Sequence, residues 1–404
     1  MIPVAEALRR LTDGLSPVGI EEVGVAAALG RVLAEDVAAR VTQPPWPVSA
    51  MDGYAVRAND VATVPATLNV IGAVPAGASF EGALGKGEAV RIFTGAPLPR
   101  GADAIVIQED TEAKGSAVLV RESAAAGRYV RPAGLDFRAG EVGLKAGRVL
   151  GARDIGFAAA MNVPWLRVRR RPRIAILATG DEVVRPGDPV GPNQIVSSSA
   201  FALAALVEGL GGTPLSLGIA ADTIESLVER AAGAAGADLL VTTGGASVGD
   251  HDLVQQALAQ KGLSVDFWQI AMRPGKPLMW GRMATAPVLG LPGNPVSTLV
   301  CGLVFLKPAL DRLLGLEATP SPARKARLTR ALPANDRRQD YLRSTLAHGQ
   351  DGELLVTPFE KQDSSMLSLM VRADCLVVRP PLDPPLPEGA PVEILTFPGG
   401  RAAF

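Results

Sequence analysis

Cysteine and histidine are scarce in this chain. Its 404 residues include two cysteines, Cys301 and Cys375, and two histidines, His251 and His348. They form no close pair, which argues against a zinc site and against a disulfide framework, and points to a reducing compartment. An excess of either charge is also missing. Lys and Arg number 40 against 41 Asp and Glu, a net charge of -1, so a general nucleic-acid binder is disfavoured. The basic run at 167–173 reads as a solvated connection between domains rather than a phosphate patch. Long apolar runs are lacking as well. Residues 284–306 carry no charge, but Pro287, Pro292, Asn294 and Pro295 interrupt them, and the unbroken part, 296–306, is too short to span a bilayer. The opening Met1-Ile2-Pro3-Val4-Ala5-Glu6 has no basic segment leading into an apolar one, so no secretory signal is expected. The expectation is a cytoplasmic protein with no membrane and no nucleic-acid partner.

What is present is a composition 48% hydrophobic and 20% charged, in a length suited to two to four domains. Val4, Leu8, Leu11 and Leu15 recur at helical spacing, with Gly14 as a stop, and residues 25–38 read as a second helix. A proline-rich loop, Gln43-Pro44-Pro45-Trp46-Pro47, then breaks the pattern. Short β-like runs follow (Thr67-Leu68-Asn69-Val70-Ile71, Ala89-Val90-Arg91-Ile92-Phe93, Ala104-Ile105-Val106-Ile107), separated by glycines. Residues 151–161 look helical again, which suggests a β-rich insertion flanked by two pieces that pack together. From Pro172 strands and helices alternate. Ile174-Ala175-Ile176-Leu177-Ala178 and Leu239-Leu240-Val241-Thr242 read as buried strands and 199–210 as a helix. Asp222 reads as the cap of a helix over 223–235, and a last helix begins near Pro295. This is the texture of a doubly wound α/β domain. From about Thr319 the runs are β-like once more, as in a small barrel or sandwich.

Ligands of open α/β sheets bind outside the carboxyl ends of the strands, and four loops at such positions carry chemistry. Thr179-Gly180-Asp181-Glu182 turns the chain and leaves two carboxylates at the crevice, although an acidic pair at a helix start has a plain structural explanation too. Thr243-Gly244-Gly245-Ala246-Ser247-Val248-Gly249-Asp250-His251-Asp252 exposes backbone N–H groups suited to an anion, with Asp250 and Asp252 as hard ligands for Mg2+. That loop lacks the Gly-Lys-Ser/Thr ending of a phosphate-binding P-loop. In Arg273-Pro274-Gly275-Lys276-Pro277 two cations flank a stiff turn, as an oxyanion site requires. In Leu291-Pro292-Gly293-Asn294-Pro295-Val296-Ser297, Asn294 suits a helix N-cap and Pro295 the first turn. Far upstream, Ser49-Ala50-Met51-Asp52-Gly53-Tyr54-Ala55 places a carboxylate on an ordered loop. Acids and bases together fit a phosphorylated or oxyanion substrate bound with Mg2+.

These motifs, together with Arg91-Ile92-Phe93-Thr94-Gly95-Ala96-Pro97 and Arg131-Pro132-Ala133-Gly134-Leu135-Asp136, occur in an order that resembles the molybdopterin molybdenumtransferases, which share their architecture with the C-terminal domain of gephyrin. The resemblance covers essentially the whole chain. It implies a multidomain α/β and β subunit of elongated shape. The implied units are a discontinuous linker and dimerisation domain (1–45 with 142–171), an inserted β domain (46–141), an α/β molybdopterin-binding domain (172–318) and a C-terminal β barrel (319–404). It implies a homodimer whose clefts draw residues from both subunits. It further implies molybdate insertion into adenylylated molybdopterin, with Mg2+-dependent release of AMP to give molybdenum cofactor. Carried over by motif, Asp52, Thr94, Asp136, Glu182, Asp222 and Asp252 are the expected catalytic residues, with Glu182, Asp222 and Asp252 as Mg2+ ligands. Expected substrate contacts are Ser49, Arg131, Thr179, Gly180, Gly244, Gly245, Ser247, Gly249, Arg273, Lys276, Pro292, Asn294, Pro295 and Ser297. Arg273 stands where many relatives have lysine. Transient contacts with the adenylyltransferase and with molybdoenzyme chaperones follow from the same resemblance. Two other readings stay open at this point: the adenylyltransferase itself, and a non-enzymatic gephyrin-like scaffold.

Overall fold

The structure, a computed structural model, describes residues 1–75, 77–244, 253–318 and 324–398. The first helix, α1 (Val4–Asp13), buries Val4, Ala7 and Leu11 along one stripe, and the Gly14 N–H donates to the Arg10 carbonyl at its end. That stripe lies in the same core as Ile174, Leu278 and Leu310, so the start of the chain is held against the α/β region.

The expected β-rich insertion is a six-stranded sheet. Its strands are β1 (Gly53–Val56), β2 (Ala66–Val74), β3 (Glu88–Ile92), β4 (Ala104–Ile107), β5 (Thr111–Lys114) and β6 (Ala117–Val120), in the order β4-β1-β3-β2-β6-β5. Alternation along β1 sends Tyr54 and Val56 into one core and Ala55 into a second on the opposite face. After the insertion comes α2 (Ala152–Ala160), whose start is fixed by Asp154, which accepts from the Gly151 N–H and from Arg148 Nε.

The helix expected over 25–38 does not form. Val25–Ala27 makes one 3-10 turn and Val37–Ala38 a short strand. Gly30 stands at φ +73°, and the chain spends its donors across space: Gly30 N–H on Leu150 O, Leu33 N–H on Arg148 O and Ala34 N–H on Arg167 O. Tertiary partners outweigh a weak local propensity here. Residues Ala28, Leu33, Val37, Phe137, Leu144, Met161 and Leu166 share one core, two short antiparallel ladders join the stretches on either side of the insertion, and a third ties 48–49 to 130–131 within it. The basic run supplies ties: Arg167 pairs with Glu35, and Arg170 forks onto Asp238.

The α/β sheet consists of β7 (Arg173–Thr179), β8 (Thr213–Ala220), β9 (Leu239–Thr243), β10 (Ser264–Gln269), β11 (Pro277–Arg282) and β12 (Pro287–Leu291), ordered β8-β7-β9-β12-β11-β10, with only β11 antiparallel to its neighbours. Side chains alternate between two cores. Ile174, Ile176, Leu239, Val241 and Leu289 face α1, α3 (Ser199–Gly209), α6 (Pro295–Cys301) and α7 (Lys307–Leu313), whereas Ala175, Leu177, Leu240 and Val288 face α4 (Ile224–Ala232) and α5 (Leu253–Ala259). Each fully buried Leu or Ile contributes about 1.5–3 kcal/mol, so both faces must be covered, and the doubly wound arrangement is how they are.

The last part resolves the choice between barrel and sandwich. Strands β13 (Arg324–Leu328), β14 (Gln339–His348), β15 (Leu354–Pro358), β16 (Cys375–Arg379) and β17 (Pro391–Thr396) close a ring, β14-β15-β13-β17-β16-β14, which leaves no edge within the five. A short helix, α8 (Leu367–Arg372), precedes β16. Among the described residues no helix is long and apolar enough to cross a membrane.

Candidate functional site

The carboxyl ends of β7, β8, β9 and β12 open onto one cleft of about 900 Å³. Thr179 and Gly180, at the end of β7, line it. Thr179 is 4% exposed and its Oγ1 is buried with no hydrogen-bond partner among the described residues. Gly180 has φ +129°, and a Cβ there would crowd the Glu182 carboxylate. Glycine therefore lets Glu182 fold back into the cleft. The two neighbouring acids divide their work: Glu182 lines the cleft, whereas Asp181 accepts the Asp222 N–H at 3.0 Å and ties the β7 loop to the β8 loop.

Asp222 was expected as a helix cap. The cap is Thr223, whose Oγ1 accepts from Ser226 N–H at 3.2 Å, because α4 begins one residue later than the pattern suggested. Asp222 is thereby left as a cleft carboxylate. At the end of β9, Gly244 (φ +94°) presses against the backbone and hydroxyl of Thr179 and against Gly293, so glycines form the floor. Gly245, Ser247, Gly249 and Asp252, with Asp250 and His251, lie outside the described residues.

Pro292, Asn294 and Pro295 form the next wall. Asn294 occupies the N-cap position of α6, but its side chain does not cap; Nδ2 donates to Ser364 Oγ at 3.1 Å, and Ser364 O takes the Val296 N–H instead. Ser297 is buried within α6 and is not part of the wall. The loop carrying Ser364 comes from the barrel and also brings Ser365 to the cleft. Arg343, 1% exposed, holds that loop through Met366 O and Asp363 O. Sequence reading missed Ser365, since nothing in its neighbourhood marks a strand end.

Arg273 and Lys276 do not line this cleft, although Pro277 does. The Arg273 guanidinium forks onto Asp340, a carboxylate 5% exposed on β14, and reaches Asp336 and Asn335 at 3.4 Å. Its charge is matched by the barrel although its side chain is exposed, and Lys276 is exposed as well. Gly275 (φ +112°) sits so close to Cys301 Sγ that a Cβ would overlap it. Burial pushes the Cys301 thiol far up and the Cys375 thiol up to about 12, so neither is a thiolate nucleophile.

The second group of expected residues gathers elsewhere. A cavity of about 450 Å³ is walled by the proline loop with Trp46, and by Gly95, Arg131 and Asp136. Ser49 is fully buried and its Oγ donates to Met51 O, shaping the turn ahead of Asp52 rather than facing a ligand. Asp52 Oδ1 accepts from the N–H and the hydroxyl of Thr94, both at 2.8 Å. The Thr94 N–H, then its hydroxyl, with Arg91 adding positive charge, hold this carboxyl below its ordinary value. Within one chain neither cavity has walls from both groups. Among the described residues no three His, Cys, Asp or Glu side chains cluster as a metal site.

Comparison with known proteins gives a consistent picture. The family described as the MoeA N-terminal region (domain I and II) matches residues 2–162, a probable molybdopterin binding domain matches 175–312, and the MoeA C-terminal region (domain IV) matches 325–397. A molybdopterin molybdenumtransferase from Nostoc sp. is 41% identical over 341 residues, 82% of this chain and 78% of that protein. A protein of the same name from Haemophilus influenzae is 33% identical over 94% of each. A solved molybdopterin biosynthesis MoeA protein from Pyrococcus horikosii superposes with a TM-score of 0.86 at 34% identity, covering 99% of this chain and all of that one.

Proposed function

Because the chain belongs to the molybdopterin molybdenumtransferase family, we propose that it works in molybdenum cofactor biosynthesis by inserting molybdate into adenylylated molybdopterin and releasing AMP. The observation that carries this reading is the cleft itself. About 900 Å³ at the carboxyl ends of four strands is the upper end of the size range for small-molecule sites, as a pterin joined through two phosphates to adenosine requires. Gly180 and Gly244 let main chain approach the ligand closely, and the unpartnered Thr179 hydroxyl gains a partner when a ligand oxygen arrives.

Two acids on one wall suit Mg2+. This ion takes one or two carboxylates and fills its remaining positions with water and substrate phosphates, so Glu182 and Asp222 are a sufficient protein donor set, with Asp252 as the expected third. Bound there, Mg2+ would neutralise phosphate charge and polarise the bond to AMP. Lys276 meets the oxyanion, and Arg273, held by Asp340, keeps the turn beside it in place. Water adds across the phosphate–phosphate bond, one phosphorus keeping the bridging oxygen and the other taking the hydroxyl, while the two dithiolene sulfurs bond to molybdenum and one molybdate oxygen leaves as water with the two thiol protons, the metal's oxidation state unchanged. We further propose that the protein acts in the cytoplasm as a homodimer. Asp52, Thr94 and Asp136 of one subunit would then complete the cleft of the other, with the insertion sheet, the α/β unit and the barrel as separate units around it. The separation of the two residue groups within one chain supports that arrangement. Brief contact with the adenylyltransferase that supplies the substrate, and with chaperones that accept the product, belongs to the same reading.

The test is AMP release from adenylylated molybdopterin by purified protein with Mg2+, with and without molybdate. Release should depend on molybdate and fall at least about a hundredfold in Glu182→Ala. Molybdate-independent release at the full rate, or an unaffected Glu182→Ala, would overturn the reading.

A further inference from the structure

Arg91, on β3, lies directly across the sheet from Tyr54 on β1, one residue past Gly53 and two past Asp52. Phe93 follows two residues later on the same strand direction. The guanidinium sits 5.1 Å from the Tyr54 ring centre and 5.0 Å from that of Phe93, so two rings flank it. Its donors go to neutral oxygens: Gly53 O at 3.3 Å and Gln108 Oε1 at 2.6 Å. Gln108 in turn gives its N–H to Asp52 O at 3.0 Å and its amide to Glu109 at 3.2 Å. Among the described residues Arg91 makes no ion pair within 4 Å.

We propose that Arg91 is a positioning residue for Asp52: it fixes the main chain that leaves the aspartate and so sets where the carboxylate meets the ligand. Three observations converge on this. The Gly53 carbonyl is held directly, and the Asp52 carbonyl accepts from the main-chain N–H of Gln108, whose side chain Arg91 engages. Gly53 packs so tightly on Val106 that a Cβ would overlap the carbonyl, so this strand has no slack to absorb a shift. Both Thr94 bonds go to Oδ1, and among the described residues no donor engages Oδ2. Arg91 spends its donors on the Gly53 carbonyl and the Gln108 side chain rather than on a carboxylate. The inference rests on the reading that Asp52 acts on the ligand.

The experiment combines steady-state AMP release with carbon-13 NMR of the Asp52 carboxyl, assigned by its loss in Asp52→Asn. Arg91→Ala is expected to lower kcat about tenfold to a hundredfold with KM changed less than about threefold. Arg91→Lys, which keeps the charge but cannot span both acceptors, recovers part of the loss. In an Asp52→Asn background, Arg91→Ala should cost nothing more. The Asp52 carboxyl midpoint should rise in Arg91→Ala. Should Arg91→Ala fail to fold, Gln108→Ala removes the linking acceptor and is expected to reproduce part of both effects. Full kcat in the Arg91 and Gln108 variants, or losses that multiply with that of Asp52→Asn, would overturn the inference. Wild-type turnover in Asp52→Asn would instead sink the reading of Asp52, and the NMR midpoint would still report whether Arg91 acts on it.

Discussion

The Asp52 carboxylate shows how much of a site one residue type can announce. An acid between Met and Gly on a loop stiffened by prolines was legible from sequence through Tyr54, which is buried as its type prefers, whereas Met51 is exposed against that preference. What sequence did not reveal is the partner. Thr94, 42 positions on, donates twice to one oxygen. Those donors lower the folded pKa from 3.8, so the stabilisation they give is complete above the unfolded value and is lost only as pH falls through the lower folded one. Asp52 should therefore stay charged across the working range, with no acid limb of its own above about pH 4. Thr94→Ala removes the side-chain donor. Its kcat profile between about pH 3.5 and 6 should show Asp52 titrating higher than in the wild type. An unchanged profile would mean that the Thr94 hydroxyl does not act on this group. Asp222 illustrates the opposite error. It reads as a cap by residue type, yet Thr223 does that task one position later, since caps are specified only to within a residue by pattern. Ser365 was invisible because only the closed barrel brings it near the strand ends.

At the scale of elements, short apolar runs located β7 and β9, the α/β strands buried on both faces, while β8, β10, β11 and β12 of the same sheet were not placed. Residues 25–38 failed for the reason that their partners lie more than a hundred positions away. The turn after Arg273 shows what element-level geometry adds. Its two cations look equivalent in sequence, but a short parallel pairing of Met272–Arg273 with β14 sets Arg273 against buried Asp340 and leaves Lys276 outward. Gly275 is the pivot. Its positive φ and its contact with Cys301 leave no room for a side chain. Gly275→Ala should cost about 2–4 kcal/mol, from backbone strain plus overpacking, and should raise the KM for molybdate by shifting Lys276. Thermal melts and molybdate titration of turnover check both parts, and a wild-type melting temperature would show that the turn has more freedom than its geometry indicates.

For the whole molecule, the family and the fold class were legible because the motifs sit at strand ends and turns, where backbone demands restrict residue choice. Less legible was how the two groups of acids relate. One chain holds Glu182 and Asp222 around one cavity and Asp136 with Arg131 around another, and the Asp52 loop lines neither of the two. A two-fold dimer that lays each group against its counterpart on the other subunit makes two composite clefts. Mixed dimers therefore test the account most directly. Asp52→Ala and Glu182→Ala proteins are each unfolded gently, combined in equal amounts and refolded, and AMP release with molybdate is measured. The account predicts that neither variant works alone and that the mixture recovers about a quarter of the wild-type rate, since half the dimers are mixed and each has one intact cleft. A mixture as inactive as its components, with both variants folded and dimeric, would contradict the shared cleft.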